Sequence, residues 1–282
     1  NNILLTNAPG NTKGLALTEY CRKLDIPVVS AQHGITPEIC STHSEVSAHY
    51  EINASDVFLA YNYQSAKITK KSHFSMGRAF VVGLSSRHLR VKKNAKPAPD
   101  APPIVYISTN LYKGNISWFG TCLTDYHRAK KEQSLVMDVL SRLPHKVRYK
   151  PYPIDNRRFA DNDPVLDDIK NSDNIQLFDK KIDMRYLMDD HRILITSMAT
   201  STIGWAVMTG KPVIFINWKN NNPLTEDAHK YFSKGLFLFD DCNDNFPGNL
   251  LDFLSQPIDK IEKLYNSKKE FRHVMINKFF TS

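Results

Sequence analysis

Short apolar runs separated by amphipathic or polar stretches dominate this chain, and the runs are the length of strands. The pattern predicts strands at 3–6, 28–31, 57–60 and 80–82, with a helix at 13–24 between the first two. After a break the alternation resumes with more regularity. Strands are expected at 104–108, 146–150, 175–178, 192–196, 213–216 and 236–239. Helices are expected between them at 125–142, 165–171, 184–189, 201–209 and 225–233. Strand–helix alternation of this kind defines an α/β protein. Its second part reads as a doubly wound parallel sheet with right-handed crossovers. The tail, 250–280, reads as helical from the spacing of Ile258, Ile261, Leu264 and Tyr265.

The break at 94–103 carries four prolines in ten residues, which fix φ and remove backbone donors. It divides the chain into a first Rossmann-like part at 1–93, a linker at 94–103, and a second Rossmann-like domain at 104–282. With 282 residues and 41% hydrophobic content, two such units can each bury a core. No run of about 20 apolar residues occurs, so no membrane-spanning helix is expected. The chain opens at Asn1 without an initiator Met or a signal peptide. It therefore reads as a fragment whose first domain is incomplete. Cys21, Cys40, Cys122 and Cys242 lack metal-ligand spacing, which points to reduced thiols in a cytoplasmic protein and to no metal centre.

A net charge of +8 is partly concentrated in Lys67, Lys70, Lys71, Arg78, Arg87, Arg90, Lys92 and Lys93. That stretch reads either as a solvated basic face or as a surface for anionic lipid, which would make the protein peripheral at the inner face of the cell membrane. No nucleic-acid-binding signature accompanies it.

Because a parallel sheet binds ligands at the carboxyl ends of its strands, chemistry is expected in the loops there. The turn from Thr196 to Thr202 is rich in hydroxyls and leads into a helix that ends at Gly210-Lys211-Pro212. The free N–H groups and positive dipole end of that helix suit a phosphate, with Ser197, Thr200, Ser201 and Thr202 as further donors. The alternative is simple helix capping. At the end of strand 146–150, Arg148 and Lys150 can neutralise phosphate, and Tyr152 can stack on a base or ribose. In the first part, His33 and Gly34 follow strand 28–31, with Glu38 as a carboxylate partner, and are candidates for acid–base chemistry. Ser108 and Asn110, with Gly114, Gly120 and Asp125, follow the first strand of the second domain. Nucleotide fingerprints of the GxGxxG and GxxxxGK[ST] types are absent, as are HExxH and GxSxG. Asp240, Asp241 and Asp244 lack EF-hand spacing and read as a solvated loop.

The order of these motifs resembles bacterial GT-B glycosyltransferases of surface polysaccharide synthesis. Those motifs are Gln32-His33-Gly34, Phe80-Val-Val-Gly83, Lys150-Pro-Tyr-Pro153 and the hydroxyl-rich turn before Gly210-Lys-Pro212. The similarity is greatest to capsule and lipopolysaccharide β-Kdo transferases, with teichoic-acid glycerophosphotransferases sharing the layout. It implies two Rossmann-like domains facing a cleft and a metal-independent enzyme without cofactors. It also implies a nucleotide-sugar donor, CMP-linked rather than UDP-linked, and a glycan or glycolipid acceptor. In this picture the catalytic carboxylate can lie upstream of Asn1. Two departures stand out: Tyr152 replaces the usual histidine, and the neighbourhood of Gly204-Trp205 replaces a usual acidic residue. A CDP-polyol phosphotransferase and a non-catalytic nucleotide- or glycan-binding module are the competing expectations.

Overall fold

The computed structural model of the chain describes residues 2–7, 9–42, 50–71, 77–85, 88, 91–93, 95–109, 124–152 and 163–281. Its strands form two separate, wholly parallel sheets. β1 (Leu4–Asn7), β2 (Val28–Ala31), β3 (Val57–Ala60) and β4 (Arg78–Val81) lie side by side in chain order. Helix α1 (Thr12–Lys23) joins β1 to β2, and α2 (Tyr63–Lys70) joins β3 to β4. Both helices start at an asparagine whose side chain accepts from the backbone N–H three residues on, Asn11 from Gly14 and Asn62 from Ser65. α2 was not expected. Its mixed polar sequence has weak periodicity, and the Asn62 cap and burial of Ala66 against Phe58, Ala60 and Ala79 specify it instead. The other face of this sheet carries Ile3, Leu5, Phe80 and Val82, all exposed.

The second sheet contains β5 (Ile104–Ile107), β6 (Val147–Lys150), β7 (Ile175–Leu177), β8 (Ile193–Ser197), β9 (Val213–Asn217) and β10 (Phe237–Asp240). Their spatial order is β10-β9-β8-β5-β6-β7. Chain order thus reverses between β5 and β8, which makes the space beyond their carboxyl ends the topological switch point of the sheet. β5, β8 and β9 are buried at every position, as strands covered on both faces must be. The covering helices are α3 (Asp125–Asp138), α4 (Pro164–Lys170), α5 (Ser201–Met208), α6 (Glu226–Gly235), α7 (Phe246–Leu254), α8 (Ile258–Ser267) and α9 (Lys269–Phe279). The helix expected at 184–189 is instead two 3-10 turns, Met184–Tyr186 and Met188–Asp190.

The proline-rich segment is fastened to the base of the second sheet. Arg192 and Ile193 N–H groups donate to the Pro103 carbonyl, and the buried His191 ring places Nδ1 2.6 Å from the Pro102 carbonyl. Nearby, Gly210 takes φ of 76° to end α5, and Lys211 turns inward. Its Nζ donates to the carbonyls of Met188, Asp189 and His191 at 3.0, 2.5 and 2.6 Å. Burial lowers its pKa, and the three carbonyls hold the ammonium in place. No helix among the described residues is long and apolar enough to cross a membrane.

The two sheets are joined by a continuous interface. Ile35 and Ile39 from the first part belong to the same buried cluster as β5, β8 and β9. The Asn62 amide donates to the Phe279 carbonyl at 2.7 Å, and Thr42 Oγ1 donates to Asn222 Oδ1 at 2.9 Å. Replacement Lys211→Met keeps the apolar stem but leaves three inward carbonyls without their donor. A loss of about 2–4 kcal/mol is expected, read as a lowered urea midpoint at constant slope.

Candidate functional site

At the switch point, hydrogen bonds between neighbouring loops fix the strand ends. Ser108 N–H donates to the Lys150 carbonyl at 2.9 Å, and Thr109 Oγ1 to the Ser197 carbonyl at 3.0 Å. The turn that follows β8 contains Met198 in the left-handed region, φ 66°, a conformation costing roughly 1–2 kcal/mol for a side chain of this kind. It is braced by Asn221, whose amide lies 3.0 Å from Met198 Sδ, and by the Ala199 N–H donating to the Asn222 carbonyl. The strained turn aims the start of α5 at the switch point. Thr200 occupies the N-cap position in extended conformation, yet its side chain makes no capping bond. The N–H groups of the first turn at Ser201 and Thr202 therefore have no side-chain cap, and this end of α5 can receive an anion.

A pocket of about 430 Å³ opens there. It gathers Ser108, Lys150, Tyr152, Ser201 and Thr202, five residues expected from sequence, with Trp205 as a further wall. Lys181, Ile182 and Met184 close it from the segment after β7. Its size falls in the range for small-molecule sites. Lys150 is buried, and its Nζ donates to the Lys180 carbonyl at 3.2 Å and lies 5.7 Å from the Phe178 ring centre.

Other expected donor-site residues stand elsewhere. Ser197 is buried, with its Oγ 3.1 Å from Tyr106 OH, so it ties β8 to β5 and does not face the pocket. Arg148 donates to Gln176 Oε1 on the edge strand at 2.9 Å and stands over Phe178, outside the pocket lining. Thr200 starts the helix without lining the pocket. Asn110, Gly114, Gly120, Pro153 and the Asp125 side chain lie outside the described residues, as do Arg87 and Arg90 of the basic stretch.

Beneath the pocket is a polar network that sequence reading missed. Buried Glu132 on α3 accepts from Tyr149 OH at 2.8 Å and is hydrogen-bonded to Ser108 and Tyr106, with the Arg128 guanidinium nearby. Burial raises the Glu132 pKa, and Asp163 adds to the effect. The i, i+4 spacing of Arg128 and Glu132 was the available signal. This network fixes the position of the Ser108 hydroxyl at the pocket wall.

From the first part, the loop after β2 reaches the same region. Gly34 packs so closely on α5 that an added Cβ would come 2.7 Å from Ser201 Cβ. Next to it His33 is exposed, with Nδ1 3.5 Å from the Asn7 amide. The loop is held by two buried carboxyls. Glu51 Oε1 accepts the His33 N–H at 2.6 Å, and its pKa is pushed up to about 8, mainly by burial. Glu38 accepts from Gln32 at 3.1 Å, Asn62 at 2.8 Å and Thr36 N–H at 3.1 Å, and burial raises its pKa to about 7. Glu38, expected as a catalytic carboxylate, has its oxygens engaged internally, by Gln32 and Thr36 of its own loop and by Asn62 at the start of α2. Trp205 completes the junction: His88 stacks on its indole at 3.8 Å between ring centres, and the Arg185 guanidinium lies 4.6 Å from it. Burial, with the Arg185 charge, lowers the His88 pKa to about 4, so this ring stacks as a neutral imidazole. Among the described residues no group of three His, Cys, Asp or Glu side chains could hold a metal ion.

No protein-family profile and no curated protein sequence matches the chain. Solved structures do. HepE from Anabaena, in complex with UDP and glucose, superposes with TM-score 0.56 at 14% identity over 99% of this chain and 74% of its own. TarM superposes with TM-score 0.52 at 12% identity, over 98% of this chain and 52% of its own. The UDP-GlcNAc 2-epimerase of Methanocaldococcus jannaschii gives TM-score 0.50 at 12% identity, over 98% and 76%. The fold is therefore an α/β arrangement of two parallel-sheet, Rossmann-like halves, matching glycosyltransferases of the GT-B type and nucleotide-sugar epimerases.

Two outcomes follow from this geometry. Gly34→Ala forces a carbon against Ser201 Cβ and is expected to destabilise the junction by about 1–3 kcal/mol, read as a lowered urea midpoint, while the far-UV dichroism of the folded protein stays unchanged. The raised carboxyls make stability fall as pH rises. Glu38 and Glu51 keep their protons in the folded state up to about pH 7 and 8 but lose them near 4.5 when unfolded. From pH 6.5, where His88 and His191 are neutral when folded and are losing their last protons when unfolded, the folding free energy should decline through pH 9 by roughly 2 kcal/mol. Glu51→Gln, which keeps an acceptor for His33 N–H, should remove the part of that decline near pH 8, read from urea midpoints across pH.

Proposed function

We propose that this protein is a nucleotide-sugar-dependent glycosyltransferase whose donor phosphate binds at the Ser201–Thr202 end of α5. The observation that carries the reading is the convergence in one pocket of an uncapped helix N-terminus, the Lys150 ammonium and the aromatic walls Tyr152 and Trp205. Backbone N–H groups at a helix start, together with a lysine held by fixed carbonyls, are preorganised to stabilise charge on a departing phosphate. Tyr152 or Trp205 offers a planar surface to the nucleoside. In this reading His33, exposed on the loop that Gly34 presses against α5, hydrogen-bonds the transferred sugar or the phosphate from the facing half.

HepE has been observed with UDP, with UDP and glucose, and with UDP-glucose, which supports a nucleotide-sugar donor for this fold. Within that class the cytidine donor and surface-glycan acceptor rest on the motif resemblance alone, and so does the transfer of Kdo or a related acidic sugar.

Calorimetric titration with UDP, CDP and CMP tests the reading. At least one is expected to bind with one-to-one stoichiometry, and Lys150→Met should weaken it by roughly 1.5–3 kcal/mol, or about ten- to a hundredfold. Failure of all three nucleotides to bind would remove the basis of the proposal. Incubation of the corresponding nucleotide sugar with an acceptor then distinguishes transfer, which releases the nucleotide into solution with a glycosylated product, from a module that binds without turnover.

A further inference from the structure

A second cleft, about 380 Å³, lies between α3 and the start of α7 and shares no lining residue with the donor pocket. One wall is a single face of α3 bearing His127, Lys131 and Leu135, four residues apart, with Lys130 and Ser134 beside them and Val139, the C-cap, beyond. Trp218, directly after β9, and Asp241, directly after β10, form the floor and one side, and Phe246 and Pro247 form the other. The face of α3 spans about 12 Å from His127 to Leu135.

Its chemistry changes along that length. The end near the start of α3 carries His127, Lys130 and Lys131, and the helix dipole adds positive potential there. The far end is apolar: Leu135 and Val139 are buried beneath it, and its accessible apolar surface is the corner made by half-buried Phe246 and exposed Pro247. The cleft contains one carboxylate, Asp241, which is already committed: Lys131 pairs with it, and Lys219 N–H donates to its Oδ1 at 2.9 Å. Lys131 also lies 5.9 Å from the Trp218 ring. Lys130 is exposed and reaches only the Tyr126 ring, at 5.6 Å, so its charge meets no carboxylate among the described residues. His127 is hydrogen-bonded to Thr124 Oγ1 through Nδ1, which leaves Nε2 facing outward as a donor or acceptor.

We propose that this cleft binds a single-chain anionic amphiphile, with a phosphate or carboxylate head at His127 and Lys130 and an apolar tail laid over Phe246 and Pro247. A neutral sugar would leave the uncompensated cation unused. A free inorganic anion would leave the Phe246-Pro247 corner uncovered. An elongated ligand charged at one end satisfies both ends of the cleft at once.

Titration of the protein with dodecyl phosphate below its micelle concentration, followed by calorimetry, tests this directly. Saturable one-to-one binding is expected, with dodecanol and inorganic phosphate each at least tenfold weaker. Lys130→Glu, an exposed substitution, should weaken dodecyl phosphate binding at least fivefold. Ser134→Phe, also exposed, places a ring in the cleft and should abolish it. Equal affinity for dodecanol, or dodecyl phosphate binding unchanged in both variants, would overturn the proposal. Nucleotide affinity is expected to be the same in both variants and in the unaltered protein, so failure here and failure of the donor reading are separately visible.

Discussion

The contact between Gly34 and the first turn of α5 is the constraint on which the candidate site depends. It brings a loop from the four-stranded sheet to the helix that starts at the switch point of the six-stranded sheet, at a spacing no other residue type would allow. Everything around the contact serves to hold it. Gln32 and Glu38 clamp the loop from inside, Glu51 takes its N–H from the other side, and Asn62 links the same network to the end of α9. Ile35 then enters the main core, so the loop is fixed by apolar burial as well as by hydrogen bonds.

Carboxyls buried this deeply carry a cost that hydrogen bonds offset only in part, and their raised pKa values express it. A protonated Glu51 still accepts the His33 N–H through its carbonyl oxygen, so the brace persists across the neutral range. On the donor side the same principle recurs in Glu132, which is buried beneath Ser108. Both halves therefore present their loops to the cleft from rigid polar supports rather than from mobile segments, which is what a preorganised site requires. The left-handed Met198 fits the same pattern, since backbone strain persists only where the surroundings over-determine it.

Much of the fold was legible because buried parallel strands are nearly unbroken apolar runs. Ile193–Ser197 and Val213–Asn217 stand within one residue of where the pattern put them, with Gly210 and Pro212 as visible punctuation. That five of the expected residues line one pocket has a related reason: they lie at or just beyond strand ends, which such sheets turn toward the switch point. The failures have equally physical causes. α2 depends on a cap and a tertiary contact, and 184–189 lacks the length to sustain a helix once Lys211 draws its carbonyls inward. Arg148 falls outside that pocket because it lies two residues back from the end of β6, on the face it shares with Lys150, and Ser197 because its hydroxyl turns to Tyr106 at the end of β8. Glu51, Glu132 and Trp205 come from distant elements and acquire their roles only through packing.

The central claim is that the start of α5 receives a phosphate, with Lys150 beside it. A crystal structure of the protein with its tightest-binding nucleotide tests it most directly. The account predicts a phosphate oxygen within hydrogen-bonding distance of the Ser201 or Thr202 N–H and of Lys150 Nζ, with the nucleoside against Tyr152 or Trp205. A nucleotide bound elsewhere, with the first turn of α5 left empty, would contradict it.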